Sequence, residues 1–155
     1  MMAISVTNQI KNAIMEKLKQ EFPDYKRYGE EIKQGFQAPC FFLAVINTSS
    51  KQKMIGKRYQ RTISLDVHFF PAKQENQNEQ MYDMGDLLYS ILEVLHIDGQ
   101  ILRGSEMNYE IVDGVLHFFV DYKVFVYREV VKDPVMEDLN IERAVLRVGN
   151  RNEAK

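Results

Sequence analysis

Asn108-Tyr109-Glu110-Ile111-Val112-Asp113-Gly114-Val115-Leu116-His117-Phe118-Phe119-Val120-Asp121-Tyr122 reads as two strands joined by a two-residue turn. Asp-Gly favours the positive backbone angles of a type I′ turn, whose twist matches that of a hairpin. The arms extend over residues 101–112 and 115–131. In the second arm Leu116, Phe118, Val120, Tyr122, Val124 and Val126 share one face at period two. His117, Phe119, Asp121, Lys123, Phe125 and Tyr127 share the other. Three aromatic rings on that second face predict that it is half covered, by a helix or by a neighbouring subunit.

Upstream, residues 59–70 alternate in the same way. Ile63, Leu65, Val67 and Phe69 point one way, and Thr62, Ser64, Asp66 and His68 the other, until Pro71 ends the strand. Residues 40–46 form a nearly unbroken apolar run, which predicts a strand buried on both faces. The polar stretch 47–56 between these strands predicts a long, flexible hairpin loop. A further short strand is predicted over residues 25–32, near Tyr28, before the turn marked by Gly35 and Pro39.

Two helices complete the pattern. Ile10, Ile14 and Leu18 make a narrow apolar stripe that Ser5 or Thr7 can cap and Pro23 stops. Met81, Met84, Leu88, Ile91, Leu92 and Leu95 recur at helical spacing and predict a second helix that ends at His96 and Asp98-Gly99. Gly85 weakens it by ~1 kcal/mol relative to alanine, and suits close packing against the sheet. The order of elements predicts an α+β fold: a mostly antiparallel β-sheet with two α-helices packed on one face. Residues 1–131 read as one domain. Residues 132–155 read as a C-terminal extension, partly ordered or used in subunit contacts. Asp133-Pro134 breaks the strand, a turn of helix is expected over 135–139, and a modest apolar segment follows over 141–148.

At 155 residues the chain fits one domain with a real core. Hydrophobic residues at 45% and charged residues at 27% argue against whole-chain disorder. A net charge of −2 argues against a nucleic-acid binder that relies on a global basic excess, and leaves a local patch open. Cys40 stands alone beside Phe41, Phe42 and Leu43, so a buried structural thiol is expected. There is no signal-peptide pattern and no run long enough to span a bilayer, so no membrane role is expected and synthesis in a reducing cytoplasm is.

The search for chemistry yields little. His68, His96 and His117 are scattered singly, at no metal-binding spacing, and each is expected to be a surface or half-buried residue. Asp24, Glu31 and Lys33 imitate the carboxylate pair and lysine of a metal-dependent nuclease, but the spacing is short and the surrounding strands are not apolar. Asp83, Asp86 and Glu79 on the second helix suit its solvated face and its dipole. No catalytic residue, metal site or cofactor is therefore assigned. Lys51, Lys53, Lys57, Arg58 and Arg61 crowd one hairpin loop and its exit. They are either a solvated loop or a contact surface toward an acidic partner or DNA passing nearby.

Several stretches resemble the tail terminator family of phages and prophages of Gram-positive bacteria. They are Tyr28-Gly29-Glu30-Glu31-Ile32-Lys33-Gln34-Gly35-Phe36 with Pro39-Cys40-Phe41-Phe42, then Arg58-Tyr59-Gln60-Arg61, then Ser64-Leu65-Asp66-Val67-His68-Phe69-Phe70-Pro71. The hairpin quoted first is the most specific of them, and together they cover roughly residues 4–130. The resemblance implies a tail-terminator-like fold and a structural, non-enzymatic role in the virion tail, assembled in the host cytoplasm. Such proteins cap the tail tube, end its polymerisation and prepare the tail for head attachment. It implies as partners further copies of the chain in a ring, expected to be a hexamer, together with the tail tube protein and the head–tail connector. DNA would pass only through the lumen. Within that picture Phe119, Phe125 and Tyr127 are expected between subunits or under a helix, with burial inside one subunit as the competing explanation. Lys51, Lys53, Lys57, Arg58 and Arg61 are expected toward the lumen or the tube. Another head–tail connector or tail completion protein is the first rival, and a small nuclease ranks behind it.

Overall fold

The structure, a computed structural model, describes residues 5–29, 35–52, 58–130 and 140–143. Helix α1 spans Val6–Glu21 and starts where predicted: the Ser5 hydroxyl accepts the Asn8 N–H at 3.1 Å. Its stripe of Val6, Ile10, Ile14 and Leu18 is fully buried, and the Phe22 N–H closes the last turn on the Leu18 carbonyl. Strands β1 (Lys26–Tyr28), β2 (Cys40–Gln52) and β3 (Arg58–Phe70) follow, then α2 (Gln77–Ile91). The chain continues through β4 (Val94–Ile97), β5 (Gln100–Val112), β6 (Val115–Val130) and β7 (Asn140–Arg143).

These strands form one seven-stranded sheet in the order β1-β2-β3-β6-β5-β4, with β7 also on β6. Among the described residues only β1–β2 is parallel, and the other pairs are antiparallel. Asp113 and Gly114 have φ of 51° and 74°, the type I′ values that their sequence demands. The face carrying Leu65, Val67, Leu116, Phe118, Val120 and Tyr122 packs against the buried sides of α1 and α2 in one core. The predicted α+β architecture, with both helices on one face, is thus observed.

Four local expectations are corrected. Residues 47–52 continue β2 rather than forming a loop, because backbone pairing with β3 carries the strand after its side chains leave the core. Ile46 is not buried but 54% exposed, since the register shifts between Val45 and Asn47 and leaves it without a partner opposite. The short N-terminal strand ends at Tyr28; residues 30–32 of its predicted span lie outside the described residues. Helix α2 ends at Ile91, and Leu95 belongs to β4, which pairs with β5 across the Asp98-Gly99 turn. The cause is non-local. The Tyr122 hydroxyl donates to the Leu92 carbonyl at 2.6 Å and the Gly104 N–H to the Glu93 carbonyl at 2.8 Å, which turns the chain toward the sheet.

Gly85 meets its expectation of close packing: a Cβ there would lie 2.7 Å from the Tyr109 ring. Beyond residue 131, Asn140–Arg143 adds to the sheet by pairing with β6. The predicted turn of helix over 135–139 and the tail beyond 143 lie outside the described residues.

Cys40 is fully buried opposite Phe70, and burial pushes its thiol up to about 11. At pH 9 only about 1% would then be thiolate, the reactive form. Iodoacetamide at pH 9 is expected to leave the native chain unmodified while the urea-unfolded chain is fully alkylated, as read by intact mass. Equal rates in the two states would contradict the placement of this side chain.

Candidate functional site

Because α1 and α2 share one face of the sheet, the other face is left to side chains alone among the described residues. Pairing across β2, β3, β6 and β5 places its residues in rows. At one end Tyr28, Phe36, Phe42 and Phe70 form an aromatic cluster, with Phe42–Phe70 centroids 5.1 Å apart and Tyr28 stacked on Phe42 at 4.9 Å. At the other end Lys51 stands opposite Gln60, and Gln60 opposite Phe125; Arg58 stands opposite Tyr127. The Arg58 guanidinium lies 3.9 Å from the Phe125 ring centroid and 6.0 Å from that of Tyr127. Such cation–π contacts contribute about 0.5–2 kcal/mol, more where water is excluded.

Two groups that the sequence presents separately, the basic residues and the aromatic residues of β6, therefore meet in one patch. Arg58, Phe125 and Tyr127 are each half-buried there, and Lys51 is exposed. Arg61 does not join them. It stands opposite Val124 and Ser50, on the helix-bearing side of the sheet, since one residue type out of step along a strand changes face. Lys53 and Lys57 lie outside the described residues. Phe119 also parts from the patch. It sits six residues back along β6, ~20 Å at a strand's rise, opposite Asp66, with its ring stacked on that of His117 at 6.4 Å. Neither α1 nor α2 covers Phe119, Phe125 or Tyr127, because both occupy the opposite face.

Between these ends lies a polar group that spacing gave no reason to assemble. Asp66 and His68 are two apart on β3, so they share a face, and His117 is directly opposite His68 on β6. Asp66 Oδ2 is 2.7 Å from His68 Nε2 and 3.0 Å from His117 Nδ1. The two imidazole rings stand edge to face, 4.4 Å between centroids. The expectation of three isolated histidines is corrected for His68 and His117; His96 is exposed on β4 and apart from them. Asp66 is 7% exposed, although it stands on the face of β3 opposite the apolar one. Its neighbours across the pleat, His68, His117 and Phe119, are bulky enough to cover it.

The other acidic candidates among the described residues stand on solvated surface. Asp24 is exposed, and Glu31 and Lys33 lie outside the described residues. Glu79, Asp83 and Asp86 are exposed along α2, where Asp86 accepts a long 3.5 Å hydrogen bond from the Tyr109 hydroxyl. Among the described residues no helix is long and apolar enough to cross a membrane.

A family model described as phage tail terminator protein matches residues 9–134. No curated protein matches the chain. One similar solved structure, of a protein bearing no functional name, is 14% identical over 79% of this chain and 95% of its own, with a TM-score of 0.39. That likeness is too loose to carry fold or function.

Proposed function

Since the chain belongs to the phage tail terminator family, and so to the structural proteins of phage tail assembly, we propose that it caps the tail tube, ends tube polymerisation and prepares the tail for head attachment. The match over residues 9–134 is the observation that carries this reading, because it takes in both helices and the sheet through β6. Capping requires no bond to be made or broken, so the chain acts by binding alone. Repeated copies close into a ring, expected to be a hexamer, through contacts that differ on the two sides of each subunit. The sheet face opposite the helices supports this. It offers half-buried Phe125 and Tyr127, with Arg58 stacked on them, as an anchor of the kind interfaces favour: aromatic rings with arginine. In this reading Lys51, which is exposed on that same face, meets the tube or the lumen, where DNA passes. The tube protein and the head–tail connector are the remaining partners, in the virion tail and, during assembly, in the host cytoplasm.

Tail length tests the proposal. A phage lacking this gene is expected to make tails longer than normal by electron microscopy. Normal-length tails without heads would assign the chain to head joining instead. Charge reversal of Lys51, Lys53, Lys57 and Arg58 together is expected to lengthen tails while leaving the subunit folded by circular dichroism. Tails of normal length in that variant would remove these residues from the tube contact.

A further inference from the structure

We propose that Asp66, His68 and His117 form a binding site for a first-row transition-metal ion such as Zn²⁺, on the open face of the sheet. One ligand atom from each residue, Oδ2, Nε2 and Nδ1, lies within 4.8 Å of the other two. Two neutral imidazoles and one carboxylate are the donor set that suits Zn²⁺ and its neighbours, whereas Mg²⁺ and Ca²⁺ prefer oxygen alone. Rigid elements hold the set: both donors of β3 come from one pleat, and His117 comes from the paired strand. Long, regular β3–β6 pairing runs through the site without a bulge.

The state of Asp66 is the second, independent observation. Its carboxylate is almost wholly removed from water, yet Oδ1 is buried with no hydrogen-bond partner among the described residues. A plain triad in which Oδ2 accepts from two imidazole N–H groups explains the short contacts and leaves that oxygen unexplained. A buried acceptor without a partner costs about 1–3 kcal/mol, more when charged, and an ion is among the usual remedies. A dication shared by both carboxylate oxygens gives Oδ1 a partner and offsets the desolvation of the group directly. Glu110, opposite His117 on β5, places a further negative charge on the same row.

Access and geometry fit as well. The side chains of His68 and His117 are 20% and 23% exposed, so an ion can enter from solvent and keep an open coordination position there. Donor–metal distances of ~2.0–2.1 Å in a tetrahedron place donors ~3.3–3.4 Å apart. The 2.7 and 3.0 Å contacts therefore have to widen by ~0.3–0.7 Å, within reach of side-chain rotations. The site stands apart from the Arg58 patch and does not depend on the tail-capping reading.

The test uses the full chain, stripped with a chelator and titrated with ZnCl₂ against a chromophoric competitor. One ion per chain is expected. His68→Gln and His117→Gln are expected to weaken uptake by ~10-fold or more, in line with the sensitivity of metal sites to their supporting groups. His96→Gln is expected to change nothing. Should the substitutions unfold the chain, histidine-ring ¹H–¹⁵N spectra of the unaltered protein read the same point. Zn²⁺ is expected to move the ring nitrogens of His68 and His117, with those of His96 unmoved, and Mg²⁺ to move none of them. Absent stoichiometric uptake, uptake indifferent to His117→Gln, shifts confined to His96, or an equal response to Mg²⁺ would each overturn the site.

Discussion

Tyr122→Ala is expected to destabilise the subunit by ~3–5 kcal/mol, the range for truncating a large buried ring. Tyr122 is fully buried at the middle of β6, between Ile63 on β3 and Gly104 on β5. Truncation leaves a cavity between the sheet and α2 that these well-paired strands cannot collapse to fill. It also removes the 2.6 Å hydrogen bond to the Leu92 carbonyl, at the point where α2 gives way to β4. Burial raises the phenol far above its ordinary pKa, so the hydroxyl stays a donor across the working pH range. Tyr122→Phe separates the two effects. It keeps the packing and strands the carbonyl, at ~1–3 kcal/mol. Against a total of ~5–15 kcal/mol for a domain, the alanine variant stands close to unfolding. Urea denaturation followed by circular dichroism measures both, and an alanine variant no weaker than the phenylalanine one would show that the ring packs loosely.

The same residue marks the boundary between what could and could not be read from the sequence. The β5–β6 hairpin was legible because both its signals are local: the Asp113-Gly114 turn and an alternation sustained to Val126. The α1 stripe was legible for the same reason. Strand β4 was not. Leu92 and Leu95 continue the period of α2, and both are buried outside it. What decides against helix is a hydroxyl and an N–H that arrive from Tyr122 and Gly104, residues distant in the chain. The polar half of β2 was hidden in the opposite way. Its side chains lie beyond the core and show no hydrophobic period, and backbone pairing alone makes it a strand.

At the candidate sites, residue types were legible and their grouping was not. Arg58 and Arg61 look equivalent in sequence, but three positions along a strand reverses the face, so only Arg58 reaches Phe125. Asp66 and His117 are separated by 51 positions, and only the β3–β6 register brings them together. Knowing that these two strands pair, with His68 opposite His117, would have been enough to find the cluster. That pairing is a property of the folded sheet, not of either segment.

Gly104→Val is the complementary test, because local preference and tertiary geometry predict opposite signs. Valine is among the best strand formers and glycine among the poorest, a span of ~1 kcal/mol that by itself predicts a gain. The space at position 104 predicts a loss. A Cβ there would lie 2.8 Å from the Leu92 carbonyl oxygen and 2.9 Å from a Val120 methyl. The first of these is backbone, already fixed by the Tyr122 hydroxyl, and the second belongs to the packed centre of the sheet. Neither can yield without breaking the junction between α2 and β4, and the Gly104 N–H is itself bonded to Glu93 across that junction. Overpacking of this kind costs ~1–3 kcal/mol, and the branched methyls of valine place it at or above the upper end. The net expectation is a loss of ~2 kcal/mol or more once the strand preference is subtracted, read as a lower urea midpoint with an unchanged slope. A gain in stability would mean that β4 and the end of α2 sit farther from β5 than the Gly104 contacts require, and the account of why α2 stops at Ile91 would fall with it.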